Sequence, residues 1–339
     1  MSSVDSPVLP AYLGVDVGGT SIKIGIVDDT GRSLAHGKIA TEHEKGPEDG
    51  VARILSFSKG LLEEAGVVWK DIRAVGLGTP GTMNVKEGEL LHMPNMSGWN
   101  FFPIRSYVEE QSEKPVAFIN DGNAAAYGEY WVGRGREHDS LVMFTLGTGV
   151  GGGIILEDIA LHGENSHGSE CGHIIIDSSP DARICPCGQR GHLEAYVSAT
   201  SLVKRAKERL SAGETSSLTS VLREDGVMTA LDIANHAEQG DIFAKDLVVE
   251  TAEFLSRGIT TMMHIIDPAI VVLGGGMNFG GSASPIGQIF LETIRRTVTE
   301  LTFPVLAENT IIDFATLGSS CGYIGAAGVA RKQYGQISS

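Results

Sequence analysis

Basic residues are in short supply in this chain: 26 Lys and Arg stand against 42 Asp and Glu, a formal net charge of −16. A surface of that sign repels a phosphate backbone, which excludes nucleic acid as a partner. A nucleotide cofactor stays open, because a small phosphate site needs only backbone N–H groups and a helix terminus. Cysteine is equally sparse, and 4 in 339 residues exclude a disulfide scaffold. Long apolar runs are missing too. The most apolar stretch, residues 259–273, is broken by His264, Asp267 and Pro268 and is shorter than the ~20 residues that cross a bilayer. The opening MSSVDSPVLPAY has no basic segment leading into an apolar one, so no signal peptide is expected. Low-complexity segments and long charge runs are absent as well. What remains is a soluble, cytoplasmic protein with no membrane partner and an ordinary globular balance, 42% hydrophobic and 20% charged.

Glycine is the residue present in excess. There are 44, well above the usual ~7% of a chain, and they gather in short runs that signal tight loops. A length of 339 residues exceeds what one core organises, so two domains are expected. Residues 12–40 alternate as strands do and are cut by turns at Gly18-Gly19-Thr20 and at Asp28-Asp29-Thr30-Gly31, which predicts an antiparallel three-strand meander. A helix follows over 50–65, then a buried strand at 74–77 ending in GTPG, a helix over 105–113, and a short strand over 116–119 ending at Asn120-Asp121. The opening grammar then returns. Strands at 140–146 and 150–156 flank Gly147-Thr148-Gly149, and a third begins at 159–162. DVGGTSIKIGIV and TLGTGVGGGIIL share one pattern of strand, glycine turn and strand, better explained by two related α/β domains than by one sheet. The rest predicts helices over 193–210, 229–239, 244–266 and 286–300, strands at 270–273 and near 310, and a closing helix of small residues over 322–335.

Each glycine turn lets the backbone approach a phosphate and aim N–H groups at it. Neither turn fits the Walker A pattern or the GxGxxG dinucleotide fingerprint, which disfavours those folds. One such turn is weak evidence; two in equivalent halves point to a clamp around a nucleotide. Asp16, between apolar residues at a strand end, is then placed to hold Mg²⁺ through water, the bland alternative being a turn-capping carboxylate. Asp121 sits where α/β folds put reacting groups, at the C-terminal edge of a strand. Its bland alternative is an ordinary helix N-cap. Within residues 168–194 lie Glu170, Cys171, His173, Cys185, Cys187, His192 and Glu194. His173, Cys185, Cys187 and His192 are the ligand types that tetrahedral Zn²⁺ prefers, and CPCGQRGH is a compact knuckle. The alternative is buried thiols beside surface histidines. A full ligand set favours a structural ion over a catalytic one.

DVGGTSIKIG, GLGTPGTMN, NMSGW, NDGNAAAYGEYWVG, TLGTGVGGGII, HGSECGHI, CPCGQRGHLE and VVLGGGM run in order from Leu13 to Ala330. On these motifs the chain resembles the ROK family (repressors, open reading frames and kinases), nearest its bacterial glucokinase branch. The resemblance implies an actin-like, hexokinase-type α/β fold of two RNase H-like domains with an interdomain cleft. The small domain would cover residues 1–120, completed by a C-terminal helix of about 322–339, and the large one 121–321. It implies an ATP-dependent kinase in which Asp121 takes the proton of a sugar 6-hydroxyl as that oxygen attacks the γ-phosphorus. Asn120, Glu170, His173 and Glu194 would bind sugar hydroxyls, and Gly81 of the GTPG loop would close over the ring. Nucleotide contacts would come from Asp16, Gly18, Gly19, Thr20, Lys23, Gly147, Thr148 and Gly149, with adenosine near Gly275. ATP, Mg²⁺ and a structural Zn²⁺ are the implied cofactors, a hexose the partner, and a homo-oligomer, dimer or tetramer, the implied assembly.

One departure concerns the knuckle, which the family usually ends in a third cysteine where this chain has His192. A Cys₂His₂ site is the reading, with Cys171 as a spare ligand. N-acetylglucosamine, N-acetylmannosamine and fructose remain rival substrates, and polyphosphate a rival donor. The family's sugar-responsive repressors carry a winged-helix domain before the first glycine turn, where this chain has about a dozen residues. An actin-like ATPase would not need the 168–194 segment.

Overall fold

The structure, a computed structural model, describes residues 6–93, 95–224 and 227–335. Residues 1–5, which open the stretch read for a signal peptide, and 336–339, the expected end of the closing helix, lie outside the described residues. The chain begins with β1 (Ala11–Val17), β2 (Ser21–Asp28) and β3 (Ser33–Ala40), the expected antiparallel meander, with Asp16 registered opposite Lys23. Helix α1 (Pro47–Ala65) starts on a proline and stops at Gly66, whose left-handed φ of 69° turns its N–H back to the carbonyls of Leu62 and Glu63. Next come β4 (Ile72–Thr79), a hairpin of β5 (Thr82–Asn84) and β6 (Glu89–His92), α2 (Ile104–Ser112), β7 (Val116–Asn120) and α3 (Asp121–Trp131).

The second half runs through β8 (Ser140–Leu146), β9 (Val150–Leu156), β10 (Ile159–Ala160), α4 (Glu194–Val197), α5 (Ala199–Ser211), α6 (Thr219–Glu224) and α7 (Ala230–Glu238). It ends with α8 (Ile242–Ile266), β11 (Ile270–Gly274), α9 (Pro285–Leu301), α10 (Pro304–Asn309), β12 (Ile311–Phe314) and α11 (Cys321–Tyr334). No helix among the described residues is long and apolar enough to cross a membrane.

The repeat seen in the sequence is a repeat of topology. One sheet has the order β3-β2-β1-β4-β7 and the other β10-β9-β8-β11-β12, so in each the first three strands are followed by two further ones on the same side. The added strands are parallel: β1 to β4 and β4 to β7 in the first sheet, β8 to β11 and β11 to β12 in the second.

One face of the first sheet is conventionally apolar. Leu13, Val15, Ile22, Ile24, Val75, Leu77 and Phe118 pack with Val51, Ile54 and Leu61 of α1, and full burial of each aliphatic contributes on the order of 1.5–3 kcal/mol. The other face is built from small residues. A Cβ on Gly14 would stand 1.9 Å from the carbonyl oxygen of Tyr323, one on Gly76 1.8 Å from that of Ala326, and one on Gly325 1.7 Å from that of Ala124. Helix α11 therefore lies directly on β1, β4 and α3, at a distance that only glycine permits.

That contact settles which unit α3 belongs to. The described residues fall into two compact units, one of residues up to Glu137, Gly153–Ser169 and Thr316 onward, the other of His138–Gly152 and Glu170–Ala315. The expected division after residue 120 differs from this, because α3 is held against α11 in the first unit. A second difference lies at 193–210. The periodicity reads as one helix, yet Ser198 is extended (φ −64°, ψ 157°) and its hydroxyl caps α5, accepting the N–H of Ser201.

Candidate active site

Asn120 and Asp121 occupy the junction of β7 and α3. The cap of the helix is Asn120: its Oδ1 accepts the N–H groups of Gly122 at 2.9 Å and Asn123 at 3.3 Å. Asp121 is the first helical residue, with Oδ1 2.8 Å from the Gly122 N–H. The parallel register sets Thr79, the last residue of β4, beside Asn120. Two residues absent from the sequence reading stand out here. Thr79 Oγ1 and Asn123 Oδ1 are both buried without a hydrogen-bond partner, an unusual state for buried polar atoms. The signal for them was their place in the motifs GLGTPGTMN and NDGNAAAYGEYWVG, which assigned neither a role. Gly81, in the same turn, has a left-handed φ of 81°.

In the first glycine turn, Gly18 N–H donates to the Ser21 carbonyl at 3.0 Å, and Thr41 braces the turn by donating its hydroxyl to the Gly18 carbonyl at 2.6 Å and its N–H to that of Thr20 at 3.0 Å. A Cβ on Gly19 would meet nothing within 4 Å, so protein packing does not require that glycine. Just ahead of the turn, Asp16 Oδ2 lies 3.3 Å from Lys23 Nζ. Burial pushes the Asp16 carboxyl above its ordinary range, and the Lys23 ammonium pulls the other way. Lys23, expected at the nucleotide, is paired with Asp16 in the structure.

The second turn is braced from three sides within its own unit. Gly147 N–H donates to the Gly149 carbonyl at 3.0 Å. The break at Ser198 brings the start of α5 against it: Ala199 N–H donates to the Gly147 carbonyl, and the Thr200 hydroxyl to that of Thr148, both at 2.9 Å. The Gly274–Gly276 loop closes on the end of β8, since a Cβ on Gly275 (φ 93°) would lie 2.2 Å from the Leu146 carbonyl oxygen, and Met277 N–H donates to that oxygen at 2.9 Å. The Gly147–Gly149 turn and the Gly274–Gly276 loop, 127 positions apart in the chain, are neighbours. A Cβ on Gly147 would again meet nothing within 4 Å.

His173, Cys185, Cys187 and His192 come together, with one ligand atom from each inside a span of 4.8 Å. The two Nδ1 atoms are 3.2 Å apart, Cys187 Sγ is 3.2 Å from His192 Nδ1, and Cys185 Sγ is 3.9 Å from His173 Nδ1. A tetrahedral ion with bonds of about 2.0–2.3 Å fits that spacing. The knuckle is folded by bridges pairing Ile175 with His192 and Ile184 with Arg190. Gly191 is obligatory, because at φ 79° its Cβ would stand 1.9 Å from the Asp177 carbonyl oxygen. Cys171 is buried outside the group, its thiol pushed up to about 12 chiefly by burial. Glu194, at the start of α4, reaches the Val150 N–H with Oε2 at 2.8 Å. Glu170 is exposed and precedes a short turn ending at His173.

Two β-meander sheets with parallel extensions, each with a glycine turn, define a hexokinase-type fold of the actin-like class. The ROK family pattern matches residues 12–333, and the chain belongs to the ROK family. It is 33% identical over 322 residues to a glucokinase of Halalkalibacterium halodurans, covering 95% of each chain. Among solved structures it is similar to a ROK hexokinase from Thermus thermophilus (TM-score 0.79, 30% identity, 95% of this chain and 98% of that one). It is also similar to a ROK family glucokinase from Streptomyces griseus crystallised with glucose and AMPPNP (TM-score 0.76, 34% identity, 95% and 99%).

Proposed function

We propose that this sugar kinase transfers the γ-phosphoryl group of ATP to the 6-hydroxyl of glucose, with Asp121 as general base. The observation that carries the assignment is that Asn120 caps α3, so the Asp121 carboxylate is not needed as a cap. It stands at the C-terminal edge of a parallel strand, where α/β folds do chemistry. Phosphoryl transfer asks mainly for positioning and charge stabilisation, and the proton moves late. The similarity to a glucokinase crystallised with glucose and an ATP analogue supports glucose as acceptor and ATP as donor.

In this reading each glycine turn offers backbone N–H groups to phosphate oxygens. The open space over Gly19 and Gly147 supports it, as neither packing nor a left-handed φ explains glycine there. Asp16 would hold a hydrated Mg²⁺ through water, and the raised carboxyl with its nearby ammonium suits an outer-sphere role. Mg²⁺ supplies charge neutralisation at the transferring phosphoryl group. Asn120, Glu170, His173, Glu194 and the Gly81 turn bind sugar hydroxyls. Zn²⁺ at His173, Cys185, Cys187 and His192 supplies a structural tie that orients the His173 ring. With Nδ1 turned toward His192 Nδ1 and Cys185 Sγ, the Nε2 of His173 is the atom left to face a sugar oxygen. A cytoplasmic homo-oligomer, dimer or tetramer, goes with this reading, and light scattering measures the assembly.

The test is a coupled ADP-release assay across hexoses and donors. Glucose with ATP should give the highest kcat/KM. A higher value with N-acetylglucosamine, N-acetylmannosamine or fructose would replace glucose, and no ADP release with any hexose would end the kinase reading.

A further inference from the structure

Glu194 touches two features that the phosphoryl-transfer reading treats separately. Its Oε2 accepts the N–H of Val150 at 2.8 Å, and Val150 directly follows the Gly147-Thr148-Gly149 turn. A Cβ on Gly149 would stand only 2.5 Å from the same oxygen, so the carboxylate meets the turn through Oε2. Its Oε1 is 3.5 Å from the sulfur of Cys185, a member of the His/Cys group. The backbone beneath is pinned on both sides. Leu193 N–H donates to the Ile174 carbonyl at 2.8 Å, and the Ser201 hydroxyl donates to the Glu194 carbonyl at 2.8 Å.

We infer that Glu194 is a positioning residue for the nucleotide turn, joining the His/Cys group to the backbone that receives the phosphates, in addition to its part in sugar binding. The inference rests on the proposed kinase reading. An N–H bond to a carboxylate is among the stronger hydrogen bonds, and this one spans 44 residues of chain. It holds the residue that fixes the exit of the turn from β8 to β9. The glycines that let phosphate approach also leave the turn with little intrinsic stiffness, so an external anchor sets its shape. Beside the bonds from Ala199 and Thr200, Glu194 supplies the anchor at the exit of the turn, from the same peptide segment that carries His192 two residues earlier. Order in the metal knuckle thus reaches the phosphate turn through one side chain. A residue that bound sugar alone would have no effect on nucleotide affinity in the absence of sugar.

The experiment measures binding of AMPPNP with Mg²⁺ to the full, zinc-loaded chain by calorimetry, without sugar, for wild type, Glu194→Gln and Glu194→Ala. Zinc content is determined for each. Glu194→Ala should bind the nucleotide roughly tenfold more weakly, the scale of one charge-assisted hydrogen bond. Glu194→Gln keeps a carbonyl oxygen for the Val150 N–H and should bind within about twofold of wild type, while its KM for glucose rises. Equal affinity in all three proteins overturns the inference. Amide hydrogen exchange on wild type covers the case in which Glu194→Ala does not fold: the Val150 amide should be protected, and exchange at the rate of an open loop overturns the inference as well. A wild type that binds no nucleotide brings down the kinase reading and this inference with it, whereas binding that is indifferent to Glu194→Ala brings down the inference alone.

Discussion

Replacing Asp121 by asparagine separates the chemistry of the carboxylate from its place in the helix. The amide is the same size, and its Oδ1 can go on accepting the Gly122 N–H that now lies 2.8 Å away. The cap is untouched, because Asn120 still holds the N–H groups of Gly122 and Asn123. What the helix loses is one negative charge at its positive end, about 0.3–1 kcal/mol. On the proposed mechanism the reaction loses its base. General-base catalysis contributes about 10²–10⁴ in rate, which at about 1.36 kcal/mol per decade is roughly 3–5 kcal/mol of barrier. The prediction is therefore a wide gap between two measurements on one protein: a urea midpoint close to wild type, and a kcat for ADP release, at saturating ATP and glucose, lower by at least two orders of magnitude. Asn120→Ala is the control with the opposite balance in stability, since removing the cap should cost about 1 kcal/mol. A kcat for Asp121→Asn within about tenfold of wild type would refute the base assignment. A stability loss larger than that of Asn120→Ala would return Asp121 to a structural role.

Other consequences are equally direct. Gly147→Ala adds a methyl group that meets nothing within 4 Å, so its stability should stay within about 1 kcal/mol of wild type while the KM for ATP rises; an unchanged KM would mean that no phosphate approaches that turn. Atomic absorption on purified protein should find about one zinc per chain, and Cys185→Ser should lower that content and raise the KM for glucose; a wild-type content well below one would remove the ion. Asp241 caps α8 by accepting the Ala244 N–H at 3.0 Å and also accepts the hydroxyls of Ser216 at 2.8 Å and Ser217 at 2.6 Å. Burial pushes its carboxyl up, but these bonds and the Ser217 N–H outweigh that and bring it from 3.8 to about 2. A depressed carboxyl stabilises the fold fully above its unfolded value and less as pH falls through the folded one. The gap in urea midpoint between wild type and Asp241→Asn should thus be wide at pH 5 and shrink toward pH 2, and a gap that does not change with pH would contradict the assignment.

Much of this protein is written locally. The alternation of Leu13, Val15 and Val17 in β1, the turn residues at Gly18-Gly19-Thr20, and the same grammar around Gly147-Thr148-Gly149 specify the two meanders through the backbone preferences of near neighbours. The composition of the His/Cys group was legible for the same reason, since His173 to His192 is one short peptide whose glycines allow tight turns. The β5–β6 hairpin was not anticipated, being only three and four residues long, too short for a period to show. Tertiary structure alone decided which of Asn120 and Asp121 caps α3, since both are good caps and the choice depends on how β7 delivers the chain to the helix. It also broke the apparent helix at Ser198, where seating the start of α5 on the Gly147 turn takes the place of local continuity. The same holds for α3, placed by the glycine contact of Gly325 with Ala124 across two hundred residues. Local pattern could name the chemistry of Glu194, but not its grip on Val150, because a hydrogen bond between segments 44 residues apart exists only once the fold has closed the loop between them.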